Sequence, residues 1–240
     1  SINPEGQIHM TLITSIMGCS PKQMTLGQFC MGRGKWHIQE NNNLSFLIMT
    51  LDRNLWRGKA KWTHKQFEGP EFEQYNEMPM FRYNSYFGVN TVHYLNLVEI
   101  ESEGALPMGR IVPAAILTKL MKNRIKTGES KQILKPFAEG LFNDIGSLKF
   151  LSYLGEDGFP VIIPVIQCQA SDSRRLSFST AAYGDEIEII KPGTSVAVFC
   201  CNLKMQSVLI RGTFGDIKRR SFIKSGFVDI NWVYNSMPPI

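Results

Sequence analysis

Short apolar runs bounded by glycine, proline and asparagine fill the first hundred residues. They predict strands at Ile8–Ile13, Met24–Phe29, Leu44–Leu51, Asn54–Thr63 and Val89–Ile100. Asn3-Pro4-Glu5-Gly6, ahead of the first run, is turn chemistry: Pro presets φ and Gly supplies φ > 0. The aromatic-heavy segment Phe72–Gly88 has the composition of a packed excursion or a partner surface, not of a flexible linker.

The spacing then changes. Ile111, Ala115, Leu117, Leu120 and Met121 approximate helical periodicity within Pro107–Ile125. Basic residues gather toward its end, where the helix dipole favours them, and Pro113 is expected in the first turn. Gly128 marks a break. Glu129–Asn143 reads as a second helix, kinked or started late by Pro136.

Strand character returns at Phe150–Leu154, Val161–Gln167, Leu176–Thr180, Ser195–Cys201 and Val208–Phe214, with Gly155-Glu156-Asp157-Gly158 as a turn. The chain is therefore expected to be mainly β with helices. The first β-block is 1–104, the helical connection 105–146 and the second β-block 147–240. Each block suits a small antiparallel barrel of about six strands. The chain opens at Ser1 directly into a turn, so the first block is expected to lack its N-terminal strand.

The blocks resemble each other. Gly6 and Gly158 end matching turns at a spacing of 158 − 6 = 152. Leu55-Trp56-Arg57-Gly58 matches Leu209-Ile210-Arg211-Gly212 at 212 − 58 = 154, and Asn41–Met49 can be laid on Pro192–Cys200 at 192 − 41 = 151. An internal duplication is expected, and two such units can pack as a pseudo-dimer within one chain.

Composition narrows the function classes. The chain is 43% apolar and 20% charged, as for an ordinary globular protein, and its net charge is +5. Basic clusters at Lys119–Lys131 and at Lys218, Arg219, Arg220 and Lys224 read as solvated faces rather than a nucleic-acid footprint. Cys19, Cys30, Cys168, Cys200 and Cys201 form no CxxC pair and read as reduced, mostly buried thiols, which fits a cytoplasmic setting. His9, His37, His64 and His93 show no metal-ligand spacing, and His37 and His93 read as structural or exposed. No apolar run approaches a membrane span and no signal peptide is visible, so no membrane partner is expected.

The second block reads KFLSYLGEDGFPVIIPVIQC, RRLSFST, IIKPGTSVAVFC and SVLIRGTFGDI; the first reads SINPEGQIHMTLI, LGQFCMGRGKWHIQENNNLSFLIMT and LWRGKAKW. In order and punctuation these resemble the pyridoxamine 5′-phosphate oxidase-like family, whose fold is the flavin-mononucleotide (FMN)-binding split β-barrel. Tandem split barrels are what the resemblance implies. It covers about three-quarters of the chain, outside the helical middle and Phe72–Gly88. It departs where Ile8 replaces the family's proline.

The family holds the flavin phosphate with Ser-Arg-Lys after its third strand. Arg33 falls on the Arg position, and Lys35 lies one residue past the Lys position. Arg33 can make two parallel bonds to phosphate oxygens, and Lys35 adds a point charge. Gly32 and Gly34 would permit φ > 0, so that backbone N–H groups converge on an anion. Phe29 and Cys30 replace the family's aromatic-Thr pair. Ile13, Thr14 and Ser15 could offer backbone groups to the ring edge, and Trp56 could pack on the isoalloxazine or in the core. Gln206 and Ser207 lie near the family's interface glutamine, with Arg53 as the first-block counterpart of Gln206. The second block has Ala181-Ala182-Tyr183-Gly184-Asp185-Glu186 at the phosphate loop, and carboxylates there repel a dianion. At most one phosphate site per chain is expected, in the first block.

The resulting expectation is a flavoprotein binding FMN and acting as an oxidoreductase of unidentified substrate. A nicotinamide donor, and a pseudo-dimer or homodimer, are implied by the resemblance. Two rival readings remain: a module that holds flavin, deazaflavin or haem without turnover, and a structural protein that has lost its cofactor. No catalytic residue and no metal site can be named from the sequence.

Overall fold

A computed structural model describes residues 1–79, 88–101, 103–128, 132–220 and 222–235. The chain is mostly β with helices and divides into two compact units. One is Ser1–Gly104 with Glu156–Pro160; the other is Ala105–Gly155 with Val161–Ile240.

The first unit carries a six-stranded antiparallel sheet. Its strands are β1 (Ile16–Ser20), β2 (Gln23–Gln28), β3 (Asn43–Met49), β4 (Asn54–Gln66), β5 (Thr91–Ile100) and β6 (Gly104–Ala105). The order is β1-β2-β5-β4-β3, with β6 on β4. Helix α1 (Arg33–Glu40) connects β2 to β3, and α2 (Pro70–Glu77) follows β4. Met24, Leu26, Ile38, Leu44, Ala60 and Leu95 form its main core.

The second unit begins with helix α3 (Met108–Met121), a 3-10 turn at Lys122–Arg124, and α4 (Pro136–Asn143). Its strands are β7 (Leu148–Leu154), β8 (Pro160–Pro164), β9 (Gln169–Asp172), β10 (Arg175–Ser179), β11 (Ser195–Cys201), β12 (Ser207–Phe214), β13 (Lys218–Arg220) and β14 (Ile223–Tyr234), with α5 (Gly184–Ile187) after β10. The sheet order is β8-β7-β11-β12-β14-β10-β9, with β13 on β14. Both pairing paths have two ends, so neither sheet is a closed barrel. After its exposed Ser195, the run SVAVFCC of β11 is apolar, because its other six residues are buried. Alternate strand residues meet Leu134, Ala138, Leu141 and Phe142 in one continuous core.

The two sheets share a register. β1 to β4 correspond to β9 to β12, and β5 to β14, in chain order and in sheet adjacency. The β3–β4 and β11–β12 turns place Arg53 and Met205 at φ 70° and 62°, and 205 − 53 = 152. In each turn the left-handed residue's N–H reaches back 3.0 Å to the carbonyl of Thr50 or Asn202. The Met17↔Thr25 and Gly18↔Met24 pairs have counterparts 152 residues on, with a bulge at the same step. So do the bulges at Lys59/Ala60 and Arg211/Gly212. For β5 the offset drops to 229 − 96 = 133. The first unit therefore carries 152 − 133 = 19 extra residues between β4 and β5, where α2 lies.

Several local expectations are corrected. Ile8–Ile13 is not a strand: its pairing is an isolated Ile2↔Ile8 bridge, and without a neighbouring strand no ladder extends. Pro113 is the sixth residue of α3, not in its first turn. Of the two readings of the helix after Gly128, the late start holds and the kink does not: it begins at Pro136, because a proline at the first helical position loses no bond. Of Phe72–Gly88, residues 72–77 lie in α2, and 80–87 fall outside the described residues. The register pairs Gly212 with Ala60 rather than Gly58, and Gln206 with Asn54 rather than Arg53. Identical LxRG spelling misled because hydrogen-bond register, not local spelling, sets equivalence. β1, β9, β13 and β14 carried no clear strand signal.

Candidate functional site

β2 ends at Gln28, and Phe29 and Cys30 bend away toward α1. Gly32 is the N-cap, with extended backbone at φ −124° and ψ 160°. Arg33 is thus the first helical residue and Lys35 the third. The glycines do not form the expected left-handed cradle: neither Gly32 nor Gly34 has positive φ. Gly34 instead permits close approach, since a Cβ there would stand 3.2 Å from the Thr11 methyl and 3.5 Å from the His9 ring. The anion-attracting feature is the helix start itself. It has no acidic residue in its first turn and no side-chain cap.

Lys35 is half-buried, and its Nζ donates to the Cys30 carbonyl at 3.2 Å. Desolvation lowers its pKa, with a smaller opposing effect from Cys30. Among the described residues no carboxylate pairs with it.

Behind this loop runs a polar relay, buried at Gln28 and His93 and exposed at Asn90, that sequence reasoning did not single out. Trp62 Nε1–H donates to His93 Nδ1 at 3.1 Å. Indole nitrogen is only a donor, so Nε2 of the neutral ring carries the proton and donates to Gln28 Oε1 at 3.0 Å. Gln28 Nε2 donates to Asn90 Oδ1 at 3.2 Å, and Asn90 Nδ2 to the Phe29 carbonyl at 2.6 Å. The relay therefore anchors the bend whose next carbonyl holds Lys35. His93 is fully buried, and desolvation, aided by Lys35 and Lys65, lowers its pKa to about 4. Lys65 Nζ donates to Gln39 Oε1, and Gln39 Nε2 to the Lys35 carbonyl, each at 2.8 Å. The available signal was a histidine on the inward-facing register of an apolar strand, between Val92 and Tyr94. The β2–β5 pairing of Leu26 with His93 and Gln28 with Thr91 is what assembles the group.

Phe29, Cys30, Arg33 and Lys35 come together around the start of α1. Phe29 packs with Tyr75, Val89 and Val92, while Cys30 and Arg33 are exposed. Ile13 packs on the core with Met24 and Leu26, and Thr14 is exposed. Ser15 is buried; its carbonyl accepts from Gly27 N–H at 2.9 Å and Tyr75 Oη–H at 3.0 Å, and its hydroxyl donates to the Gly27 carbonyl. Trp56 lies half-buried on β4 opposite Ile48. Gln206 and Ser207 belong to the second unit. Gln206 Oε1 accepts from Asn202 Nδ2 at 2.8 Å in the β11–β12 turn, and Ser207 pairs with Cys201. His37 is buried.

The second unit differs at each equivalent place. Its short helix α5 starts after Tyr183, at φ 55°, and carries Asp185 and Glu186 in its first turn. Phe214 stands 152 residues on from Trp62, and Gly226 stands 133 on from His93. There Phe178 and Phe214 stack at 5.8 Å, and a Cβ on Gly226 would meet the Phe178 ring at 2.8 Å. Apolar packing occupies the place of the Trp62–His93 contact.

Three solved structures are similar to parts of the chain. HupZ of Group A Streptococcus is 13% identical, covering 43% of this chain and 94% of its own, at TM-score 0.35. A Lactobacillus delbrueckii protein described as "a putative pyridoxamine 5′-phosphate oxidase" is 16% identical, covering 44% and 96%, at 0.35. An FMN-binding protein of Syntrophomonas wolfei is 11% identical, covering 44% and 74%, at 0.36. No family model and no curated protein matches the chain. Among the described residues no His, Cys, Asp and Glu group could hold a metal ion, and no helix is long and apolar enough to cross a membrane.

Proposed function

We propose that the chain is a tandem of two split-barrel copies of the pyridoxamine 5′-phosphate oxidase-like kind, and that the first copy binds FMN. The duplication is supported by the shared offset of 152 residues through β1 to β4, with coincident turns and bulges. The flavin reading rests on the sequence resemblance together with one observation: Lys35, half-buried at an uncapped helix start, has no carboxylate partner among the described residues. A phosphate there would complement Lys35, Arg33 and the backbone N–H groups of the first turn. These residues fit the phosphate end of the cofactor. Bound flavin would supply hydride chemistry at its ring, with a nicotinamide donor or another reductant as partner. This chain's residues would bind and orient: Arg33 and Lys35 hold charge, and the relay from Trp62 to Asn90 holds the Phe29–Cys30 bend in place. The second copy, with Asp185 and Glu186 at the equivalent helix start, would repel the phosphate and serve a structural role.

The test is a visible spectrum of the purified protein, followed by titration with FMN and with riboflavin, which lacks the phosphate. FMN should bind and riboflavin should bind far more weakly. Replacing both Arg33 and Lys35 with Ala should cost FMN roughly 2–4 kcal/mol, from two partly redundant charged hydrogen bonds. A colourless protein that ignores both flavins would favour a structural role, and unchanged FMN affinity in the double variant would remove the phosphate site. Bleaching of the bound flavin by a nicotinamide donor without oxygen would distinguish an oxidoreductase from a carrier.

A further inference from the structure

Helix α3 is apolar on two sides. Ile111, Ala114, Ala115, Thr118 and Met121 are buried. Thr118 Oγ1 accepts the Ser179 N–H at 2.9 Å, and the Ala115 carbonyl accepts from Gln169 Nε2 at 2.8 Å, which fixes this side against β10 and β9. On the other side Val112, Ile116 and Leu120 recur every fourth residue and are 40%, 55% and 62% exposed. Residues four apart form a continuous ridge, the unit that packs into the groove of another helix.

The flanks carry charge of one sign. With about 100° of turn per residue, Lys119 lies on one side of the ridge and Arg110 on the other. Arg124 continues the second flank in the 3-10 turn; all three are exposed. From Ala105 to Gly128 the chain has five cations, Arg110, Lys119, Lys122, Arg124 and Lys126, and no carboxylate. A second copy docking through the same ridge would set like charges against each other. An interfacial membrane helix typically adds aromatic anchors, and α3 has none.

We infer that the Val112–Ile116–Leu120 ridge is a docking surface for an amphipathic helix of another protein whose apolar stripe is flanked by Asp and Glu. Such a helix matches the ridge by shape and its cationic flanks by charge, as flanking charges select partners in coiled coils. The inference is independent of flavin binding.

The experiment titrates the isotope-labelled full chain, followed by NMR, with a panel of synthetic helical peptides. Each carries Leu at every fourth residue and Glu on both flanks; control peptides carry Lys in place of Glu. Acidic peptides should move the α3 resonances, and affinity should fall about tenfold in Ile116→Ser and about tenfold in Lys119→Glu. Ile116→Ser should keep its melting temperature, since the side chain is more than half exposed; if it does not, Leu120→Ser carries the same test. The proposal is overturned if no acidic peptide moves α3, if the Lys peptides bind equally well, or if the variants leave affinity unchanged. It is also overturned if α3 responds only to vesicles of equal parts phosphatidylcholine and phosphatidylserine, or if the chain self-associates through this ridge.

Discussion

The indole N–H of Trp62 donates to His93 Nδ1 at 3.1 Å, and this one bond sets the direction of every hydrogen bond that follows. Nε2 must then donate to Gln28, which donates to Asn90, which donates to the Phe29 carbonyl. Such a one-way relay tolerates only a neutral His93, because a protonated ring would present an N–H to the indole N–H.

Acid should therefore destabilise the first unit. His93 has a pKa of about 4 when folded, below its ordinary 6.5. Between these values the unfolded chain binds more protons, so its stabilising contribution is complete above pH 6.5 and falls away as pH drops toward 4. The loss should be on the order of 3 kcal/mol. Urea melts across this range should show it, and His93→Gln should flatten the dependence while lowering stability at neutral pH. An unchanged slope in that variant would rule His93 out as the source.

Lys35 lowers the His93 pKa through its charge. Lys35→Gln should raise the NMR-monitored titration of His93 above that of the unaltered protein, although Lys65 and burial still act on it. No movement would mean that the ammonium and the ring are electrostatically uncoupled.

Gly212 sits at the β12 bulge, where an added Cβ would strike the Asp229 carbonyl. Backbone cannot move aside as a side chain tip can. Gly212→Ala should cost about 2–3 kcal/mol in the second unit. Gly109→Ala, with open space around it, should cost nothing and serves as the control in thermal melts.

The thiols should divide sharply in reactivity. Burial pushes Cys168 up to about 12 and Cys201 to about 11, and raises Cys200 further. Cys30 is exposed. A native protein treated with a thiol-specific chromogenic reagent should label Cys30 first, and Cys168, Cys200 and Cys201 only after unfolding. Rapid labelling of Cys168 in the folded state would contradict its burial.

Strands such as Ser195–Cys201 were legible in the sequence, because an apolar run between turn residues is local information. So were the turn before Gly6, the helix around Ile111 to Met121, and the opposite charges of the two helix starts at Arg33 and Asp185. β14 was not, since Lys224, Gly226, Asp229 and Asn231 interrupt its apolar pattern and only pairing with β12 and β10 holds it extended.

What the sequence by itself determined is the alternation of β-blocks and helices, and the basic character of the segment from Arg33 to Lys35. Tertiary structure alone decided which strand positions of the two sheets correspond in register and which polar groups meet. Gln28, Trp62, Asn90 and His93 are up to 65 residues apart, and only the antiparallel register of β2, β4 and β5 joins them. The reason is physical: a side chain's secondary structure is set by its neighbours in the chain, but hydrogen-bond partners across a sheet are set by register, which a single residue's shift inverts.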